Sequence, residues 1–330
     1  MARMVRGGRI ALILVIAGTV WSCGGGGGGG TQDPTAGTTQ WSIPRGNVVD
    51  GGPGKDGIPS IDTPNFRAAA AITEVDDNTL VIGVRYDGET KAYPHDILNW
   101  HEIVNDGDAA SPFVLSFCPL TGSAVAWQSS PLSGDPTFGV SGLLYESNLI
   151  LYDRETDSHW SQMLEESVEG LLIGDSLPGI QVIETTMATW REMYPTSMVM
   201  TRDTGYTRDY DLTPYPEYTT NTDLLFSVSN LDSRLHPKER VIGITTGTEN
   251  KAYQIASFGP AMTTINDHVG GQPVVVVGNS NADIAAIFSR ELNDGTILDF
   301  TPLNDQLPAV MQDSEGNVWN VFGEAISGPR

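Results

Sequence analysis

Two residues in the first half of the chain have side chains that could perform chemistry together, Cys118 and His101. Cys118 ends the apolar run FVLSFC, and the PLTGS that follows contains the proline and glycine typical of a tight turn. His101 lies in NWHEIVND, the segment just before that run. If the two segments pair as a hairpin through the loop near 107 to 110, His101 comes within reach of Cys118. We therefore predict one polar site that contains both side chains.

A cysteine beside a histidine is compatible with three kinds of site. A thiolate–imidazolium pair is a nucleophile, whereas a soft sulfur with an imidazole is a ligand set for copper or zinc. The third alternative is a buried pair that only holds a hairpin together. Because a zinc site needs at least three protein ligands, Met163 or His159 would have to supply the missing one.

Six further residues are candidates for binding a small ligand at this predicted site. They lie in the turn after Cys118, in the segment after His101, or in and beside the acidic turn DRETD. They are Thr121, Ser123, Trp160, Arg154, Asn105 and Asp106.

Two long stretches of the sequence occur twice, at a spacing of 160 to 161 residues. VIGVRYDGETKAY (81–93) returns as VIGITTGTENKAY (241–253), and PFVLSFCPLTGSAVAW (112–127) returns as PVVVVGNSNADIAAIF (273–288). This self-similarity predicts two tandem copies of one unit. Three polar residues of the first copy meet other residues in the second: Cys118 lies opposite Asn279, His101 opposite Met262 and Thr121 opposite Ala282. The predicted site therefore belongs to the first copy alone.

Both copies consist of short β-branched and aromatic runs bounded by Gly, Pro, Asp or Ser. Asp87-Gly88, between two such runs, is a strong hairpin signal. Many short strands in each copy favour a small sandwich or barrel, and we expect brief helices at 94–99 and 185–194. The predicted fold is mainly β with minor helices (α+β), built from two tandem, pseudo-repeated units that are sandwich- or barrel-like.

Composition and self-similarity divide the chain into six segments. Roughly 300 residues after the signal suit two domains of ordinary size. The segments are a signal peptide (1–22), a lipid-anchored Gly-rich tether (23–45), a Gly-, Pro- and Asp-rich segment (46–74), the first β-rich repeat with Cys118 (75–172), a connector with a helix (173–235) and the second β-rich repeat (236–330).

The N-terminus has the pattern of an exported protein. Arginines precede an apolar run from 10 to 21, which is shorter than the about 20 residues that span a bilayer. The sequence VWSC, ending at Cys23, resembles the lipobox of bacterial lipoproteins, although an ordinary signal peptide cut nearby is the alternative. Seven glycines follow. We predict that acylated Cys23 anchors the protein in a lipid bilayer of the cell envelope, in the outer membrane if the source has two membranes.

Charge and cysteine usage restrict the partners. The chain has 41 acidic and 18 basic residues and a net charge of −23. Such a surface repels nucleic acid, so nucleic acid is not an expected partner. The chain has two cysteines, and acylation of Cys23 would leave Cys118 without a disulfide partner.

Several phrases of the sequence together resemble a known family. They are FCPLTGSAVAW, FGVSGLLYESNLILYDRET, HEIVND, GGPGKDGIPSID, RDTGYTRDYDLTPYPEY and GNVWNVFGEAISGP. From about Trp41 onward the chain resembles the bacterial and archaeal domain of unknown function three-one-seven-nine. The usual turn of that family looks like Cys-Pro-Leu-Cys, which implies a dithiol or a metal clip. Here Thr121 occupies the position of the second cysteine, which leaves Cys118 and His101 as the candidate pair.

From these observations we expect an envelope lipoprotein that binds a soft metal ion, with copper or zinc possible, or a small ligand at Cys118 and His101. One alternative is a thiol-dependent enzyme with Cys118 as nucleophile and His101 as its base. Another is a surface scaffold with no active site. A third ligand such as Met163 near Cys118 would favour metal, and an open cleft would favour catalysis.

Overall fold

A computed structural model describes residues 9–11, 40–247 and 249–329. Most of the predicted signal peptide and tether, including Cys23, lies outside the described residues. The described chain is mainly β with two α helices, which confirms the predicted fold class. Neither helix in this part of the chain is long and apolar enough to cross a membrane.

The described chain up to residue 169 forms twelve strands and one α helix, and the strands from β4 onward are connected mostly as hairpins. We use "first unit" for β4 to β12. The elements are β1 (Arg9–Ala11), β2 (Val48–Asp50), β3 (Phe66–Ala68), β4 (Leu80–Tyr86), β5 (Glu89–Pro94), α1 (His95–His101), β6 (Ile103–Asp106), β7 (Phe113–Cys118), β8 (Ser123–Gln128), β9 (Phe138–Tyr145), β10 (Asn148–Asp153), β11 (His159–Ser161) and β12 (Glu166–Glu169).

A connector and a second unit complete the described chain. We use "second unit" for β16 to β24. The elements are β13 (Gly179–Ile180), β14 (Val182–Thr186), α2 (Met187–Met193), β15 (Met198–Met200), β16 (Val241–Thr245), β17 (Asn250–Gln254), β18 (Thr263–Val269), β19 (Gln272–Asn279), β20 (Ile284–Ser289), β21 (Phe300–Pro302), β22 (Ala309–Asp313), β23 (Val318–Asn320) and β24 (Ala325–Ser327). Single 3-10 turns occupy Arg45–Asn47, Ala69–Ala71 and Ile255–Phe258.

The strands form six sheets, and none of those described closes on itself. Three sheets contain the strands of the first unit together with strands that precede or follow it, in the orders β14-β4-β5-β15-β3, β13-β8-β7-β6 and β12-β11-β10-β9-β2. The other three sheets contain the strands of the second unit and β1, in the orders β1-β16-β17, β18-β19-β20 and β21-β22-β23-β24. Stacked open sheets, the sandwich alternative, are therefore what the sequence produces.

The sheet of β6, β7 and β8 is the middle layer of the first unit. Leu115 and Phe117 of β7 pack into a core shared with the β4–β5 sheet. Val114 and Cys118, on the opposite face, pack into a core shared with β9, β10 and β11. Every residue of β7 is buried, as expected for a strand covered on both faces. This burial on both faces explains why the FVLSFC run is almost entirely apolar.

Local sequence explains the elements that frame this layer. Asp87 and Gly88, at the β4–β5 turn, both have positive φ angles, of 48° and 79°, as a type I′ hairpin requires. The helix expected at 185–194 is α2, and Thr186 caps it by accepting a hydrogen bond from Thr189 N at 3.2 Å. The helix expected at 94–99 extends through His101, and this extension decides where the His101 side chain lies.

Candidate functional site

The turn between β7 and β8 brings the predicted site residues to one end of the middle sheet. Cys118 pairs with Ser123 in the ladder, so that residues 119–122 form a four-residue turn. Gly122 has a φ of 57°, and Thr121 N donates to Cys118 O at 3.3 Å. The cysteine thus ends its strand where the sequence predicts, but its side chain is only 1 % exposed.

The Cys118 thiol is not activated by its surroundings. Burial raises its pKa to about 11, and the charge of Glu102 acts in the same direction. The sulfur lies 3.9 Å from Ser147 O, a weak contact. A thiol with this pKa is protonated near neutral pH, and it is the thiolate that reacts with electrophiles and binds metals.

His101 is fully buried and has partners other than Cys118. Its Nδ1 lies 2.8 Å from Pro59 O, and its Nε2 lies 2.7 Å from Tyr210 OH. Burial lowers the pKa of His101, the bond to Pro59 raises it, and the charge of Arg208 lowers it further. The outcome favours the neutral ring, which holds the connector against α1.

The predicted contact between His101 and Cys118 is not formed, because α1 continues through His101. Glu102 then reverses the chain with a φ of 58°, and β6 begins at Ile103, which pairs with Ser116. His101 therefore precedes the hairpin rather than belonging to its ladder.

The predicted metal ligands do not converge. Met163 lines a cavity described below, and His159 pairs with Glu169 Oε2 at 2.6 Å while its ring stacks on Trp41. The residues that the structure describes contain no group of three or more His, Cys, Asp or Glu side chains arranged to hold a metal ion. Neither copper nor zinc gains support from this geometry.

Four of the six predicted ligand-binding residues use their polar groups inside the fold. The partners are Phe138 backbone for Asn105, Lys91 and Tyr93 for Asp106, Ser60, Asp62 and Thr137 for Arg154, and Asp153 for Trp160. Such bonds account for these residues as structural elements of the first unit.

Thr121 and Ser123 belong to a buried polar network. Asn148 Nδ2 lies 2.9 Å from Thr121 Oγ1, 3.1 Å from Ser123 Oγ and 2.7 Å from Gln162 Oε1. Ser123 Oγ donates to Gln162 Oε1 at 2.7 Å, and Gln162 Nε2 donates to Ser116 Oγ at 3.1 Å. We name Ser116, Thr121, Ser123, Asn148 and Gln162 the polar network. It joins the middle sheet to β10 and to the loop after β11.

A cavity of about 420 Å³ lies over this network, between the two units. We name it the interunit cavity. Its lining includes Thr121, Asn148, Met163, Tyr218, Asn230 and Thr245. Asn148 Oδ1 is buried, and among the described residues it has no hydrogen-bond partner.

No sequence pattern marks Asn148 or Gln162 as a site residue. Each is a single amide next to a strand: Asn148 begins the apolar run NLIL, and Gln162 directly follows β11. A comparison of the two copies could have identified Gln162. Gln162 and Val321 each lie two residues after one of the paired tryptophans, so a polar residue of the first copy corresponds to an apolar residue of the second.

Glu102 was also missed. It is 6 % exposed, and its Oε1 accepts a hydrogen bond from Tyr215 OH at 3.4 Å. Burial raises its pKa to about 7, although the bond from Tyr215 opposes this shift. A buried carboxyl group with a raised pKa therefore lies beside the Cys118 strand.

The fold is that of a mainly β protein with two units whose strands follow each other in a similar order. The polar network makes the first unit the place of a candidate ligand site. The chain belongs to the family described as protein of unknown function (DUF3179), whose model matches residues 55–330. No curated protein and no solved structure matches the chain.

Proposed function

We propose that this protein binds a small polar molecule in the interunit cavity, with the polar network as its recognition surface. The observation that carries the proposal is the unpartnered Asn148 Oδ1 in the wall of that cavity. A buried acceptor without a donor costs about 1–3 kcal/mol. A ligand that offers an N–H or O–H group there would remove this cost.

The second unit supports this proposal. The β19–β20 hairpin also has a four-residue turn, with Asn279 paired to Ile284. In this register Val277 and Ile284 occupy the positions of Ser116 and Ser123, and both are buried in an apolar core. A hairpin of this geometry therefore packs without polar side chains, so the network is not a requirement of the fold.

The size of the cavity restricts the ligand. A volume of 420 Å³ corresponds to roughly 14 waters at about 30 Å³ each. This favours a molecule of about 10 to 15 non-hydrogen atoms, with at least one donor group.

The test uses two probes of similar shape, propionamide and methyl propionate, of which only the amide has N–H donors. We expect propionamide to shift the side-chain amide NMR signals of Asn148 saturably, and methyl propionate to bind at least about fivefold more weakly, since one lost hydrogen bond to a buried acceptor is worth about 1–3 kcal/mol. Equal effects of the two probes would overturn the donor requirement.

A matched pair of variants locates the site. Asn148→Ala should abolish the propionamide effect on Thr121. Asn230→Ala removes an exposed amide from the rim of the same cavity, and should leave that effect within about twofold of the wild type. If Asn148→Ala leaves binding unchanged, the proposal fails.

We also propose that the protein is exported and anchored in the envelope membrane through acylated Cys23. The support is the arginine-led apolar run that ends in VWSC. Cys23→Ala should move the protein from the membrane fraction to the soluble fraction, or leave it unprocessed. Wild-type protein that is recovered without lipid in the soluble fraction would contradict the anchor.

The thiol-enzyme alternative gains no support, because the Cys118 thiol is buried and His101 is bonded elsewhere. Soft-metal binding loses its proposed ligand pair for the same reason. Of the functions expected from the sequence, binding of a small ligand is therefore the one that we propose.

A further inference from the structure

The outer edge of β16 (Val241–Thr245) is available to a further strand. Its inner edge pairs with β17, whereas within the described part of residues 40–329 no strand pairs with its outer edge. We propose that this edge binds an extended peptide segment of another protein, apolar and with a basic residue, as an added antiparallel strand. The proposal goes beyond the small ligand of the interunit cavity and needs no contact with Asn148.

The β16–β17 ladder shows which backbone groups are available for this pairing. Thr246 N donates to Glu249 O at 3.0 Å, so Thr246 directs its N–H group toward β17. The residues of an antiparallel strand bond alternately to one side and to the other. The N–H and C=O groups of Gly243 and Thr245 therefore point away from β17, along the outer edge.

The equivalent strand of the first unit has this edge covered. β4 and β16 begin the similar sequences VIGVRY and VIGITT, at a spacing of 160 residues. The connector strand β14 pairs antiparallel with β4, and Ile183 lies opposite Gly83, the residue that corresponds to Gly243. Among its described strands, the connector supplies none to β16. The fold thus has a place for one more strand in the second unit.

A strand near the N-terminus shows that this edge accepts a partner. β1 pairs antiparallel with β16, with Arg9 opposite Thr245 and Ala11 opposite Gly243. Thr245 and Gly243 are the residues whose backbone groups point outward, and the direction of β1 is that of β14 on β4. Because β1 lies within the predicted signal peptide, removal of residues 1–22 would leave the edge free.

β16 lacks the features that commonly block an exposed edge. Natural edge strands have charged residues, a proline or a bulge, which prevent pairing with another chain. The sequence VIGIT has no charged residue and no proline, and its ladder with β17 has no bulge. Such an edge promotes aggregation unless a defined partner covers it.

The interunit cavity leaves space for a strand at this edge. Gly243, Ile244 and Thr245 all line the cavity. Neighbouring side chains of a strand point to opposite faces, so a lining of three consecutive residues indicates that the backbone edge borders the cavity. A peptide can therefore approach the backbone of β16 from this side.

The charges around the cavity favour a basic segment. Among the described residues, two charged ones line it, Glu146 and Lys251. Lys251 is paired with Asp267 at 2.5 Å, whereas the described partners of Glu146 are neutral groups of Asn47 and Ser229. One negative charge thus remains uncompensated. The net charge of −23 also repels a second copy of the chain and attracts a basic peptide.

The first test titrates the purified, unprocessed chain with the end-blocked peptide KRIALK and follows the backbone amide NMR signals of Gly243 and Thr245. In the wild type, β1 competes for the edge. Ala11→Pro removes the N–H group that faces Gly243, and should strengthen peptide binding at least about tenfold, since apparent affinity rises with the fraction of molecules whose edge is free. Ala11→Val keeps this N–H group and should bind as the wild type does. Equal binding by Ala11→Pro and the wild type would overturn the proposal.

Two N-methylated forms of this peptide, titrated into the Ala11→Pro variant, test strand addition itself. Methyl groups on its arginine and alanine block the N–H groups that face β16 in the register of β1, and should weaken binding at least about fivefold, since two hydrogen bonds are lost. Methyl groups on its isoleucine and leucine point away from β16 and should leave the Kd within about threefold. Both forms have the same charge and apolar content, so equal affinities would refute an added strand.

The identity of the partner is tested with the same variant. Ala11→Pro should sediment as a monomer without peptide, and a dimer that the peptide dissociates would assign the edge to a second copy and contradict the proposal. The acidic peptide ERIALE should bind at least about threefold more weakly than KRIALK, because the protein repels negative charge. Equal affinities of these two peptides would overturn the basic preference.

Discussion

The two units share a frame but differ in what the frame contains. In each, a tryptophan on a short strand donates through Nε1 to an aspartate at 2.8 Å: Trp160 to Asp153, and Trp319 to Asp313. In each, an asparagine exchanges two hydrogen bonds with the backbone of a phenylalanine: Asn105 with Phe138, and Asn266 with Phe300. On these matched contacts we propose that the units are copies of one ancestral unit.

Inside this frame, the first unit is polar where the second is apolar. Ser116, Ser123 and Gln162 of the polar network correspond to Val277, Ile284 and Val321 by hairpin register and by distance from the tryptophans. All three residues of the second unit are buried in one core. The shared arrangement of strands is therefore compatible with either polar or apolar side chains at these positions. Folding alone does not explain why the first unit has polar ones.

The largest expected contrast between the units is thiol accessibility. Cys118 should react with iodoacetamide at pH 8 at least roughly 1,000-fold more slowly than in urea-unfolded protein, because labelling needs an opening of the buried strand. The matched thiol is Asn279→Cys in a Cys118→Ser background, since residue 279 ends the equivalent strand and is half-buried. It should label far faster. Rapid labelling of native Cys118 would revive the nucleophile hypothesis.

The shared frame predicts equal losses of stability. Trp160→Ala and Trp319→Ala should each lower the free energy of unfolding by about 3–5 kcal/mol, because each removes a fully buried ring. Each also removes one of the hydrogen bonds that an aspartate accepts. Urea denaturation measures both. Values that differ by more than about 2 kcal/mol would show that the tryptophans do not play matched roles.

Glu102 predicts a pH dependence confined to the first unit. Its pKa is raised from 4.5 to about 7 in the folded protein, so between these values the folded state holds a proton that the unfolded state has released. The stabilisation is complete below about pH 4.5 and is lost as the pH rises to about 7, by roughly 3 kcal/mol at most.

Glu102→Gln should remove this dependence between pH 5 and 8. Glu192→Gln, at an exposed position on α2, serves as the control and should keep the wild-type slope. If the two variants have the same slope in urea titrations, Glu102 does not bind the proton that the account assigns to it.

The sequence predicts the strands, turns and helices better than it predicts the residues that form the site. Strand runs, the Asp87-Gly88 turn and the helix before Pro195 follow from local patterns that the structure keeps. The turn after Cys118 also lies where its proline and glycine indicate. These features depend on neighbours in the chain, which a single sequence displays.

The site depends instead on residues that are distant in sequence. His101 lies away from Cys118 because the helix continues two residues beyond Asn99, and because the positive φ of Glu102 then turns the chain into the hairpin. Asn148 bonds to Thr121 from 27 positions away, and Tyr218 of the connector bonds to Leu120 O from 98 positions away. No periodicity in the chain marks such contacts, so only the fold brings them together.

The most direct test of the central claim replaces the polar network by apolar residues of similar size, as Ser116→Ala, Ser123→Ala, Asn148→Leu and Gln162→Leu together. Because the four buried members are removed at once and Thr121, which is only partly buried, keeps access to water, the free energy of unfolding should stay within about 1 kcal/mol of the wild type or rise. The propionamide shifts at Thr121 should disappear. A loss of stability above about 4 kcal/mol, or propionamide binding as tight as in the wild type, would contradict a network kept for ligand recognition.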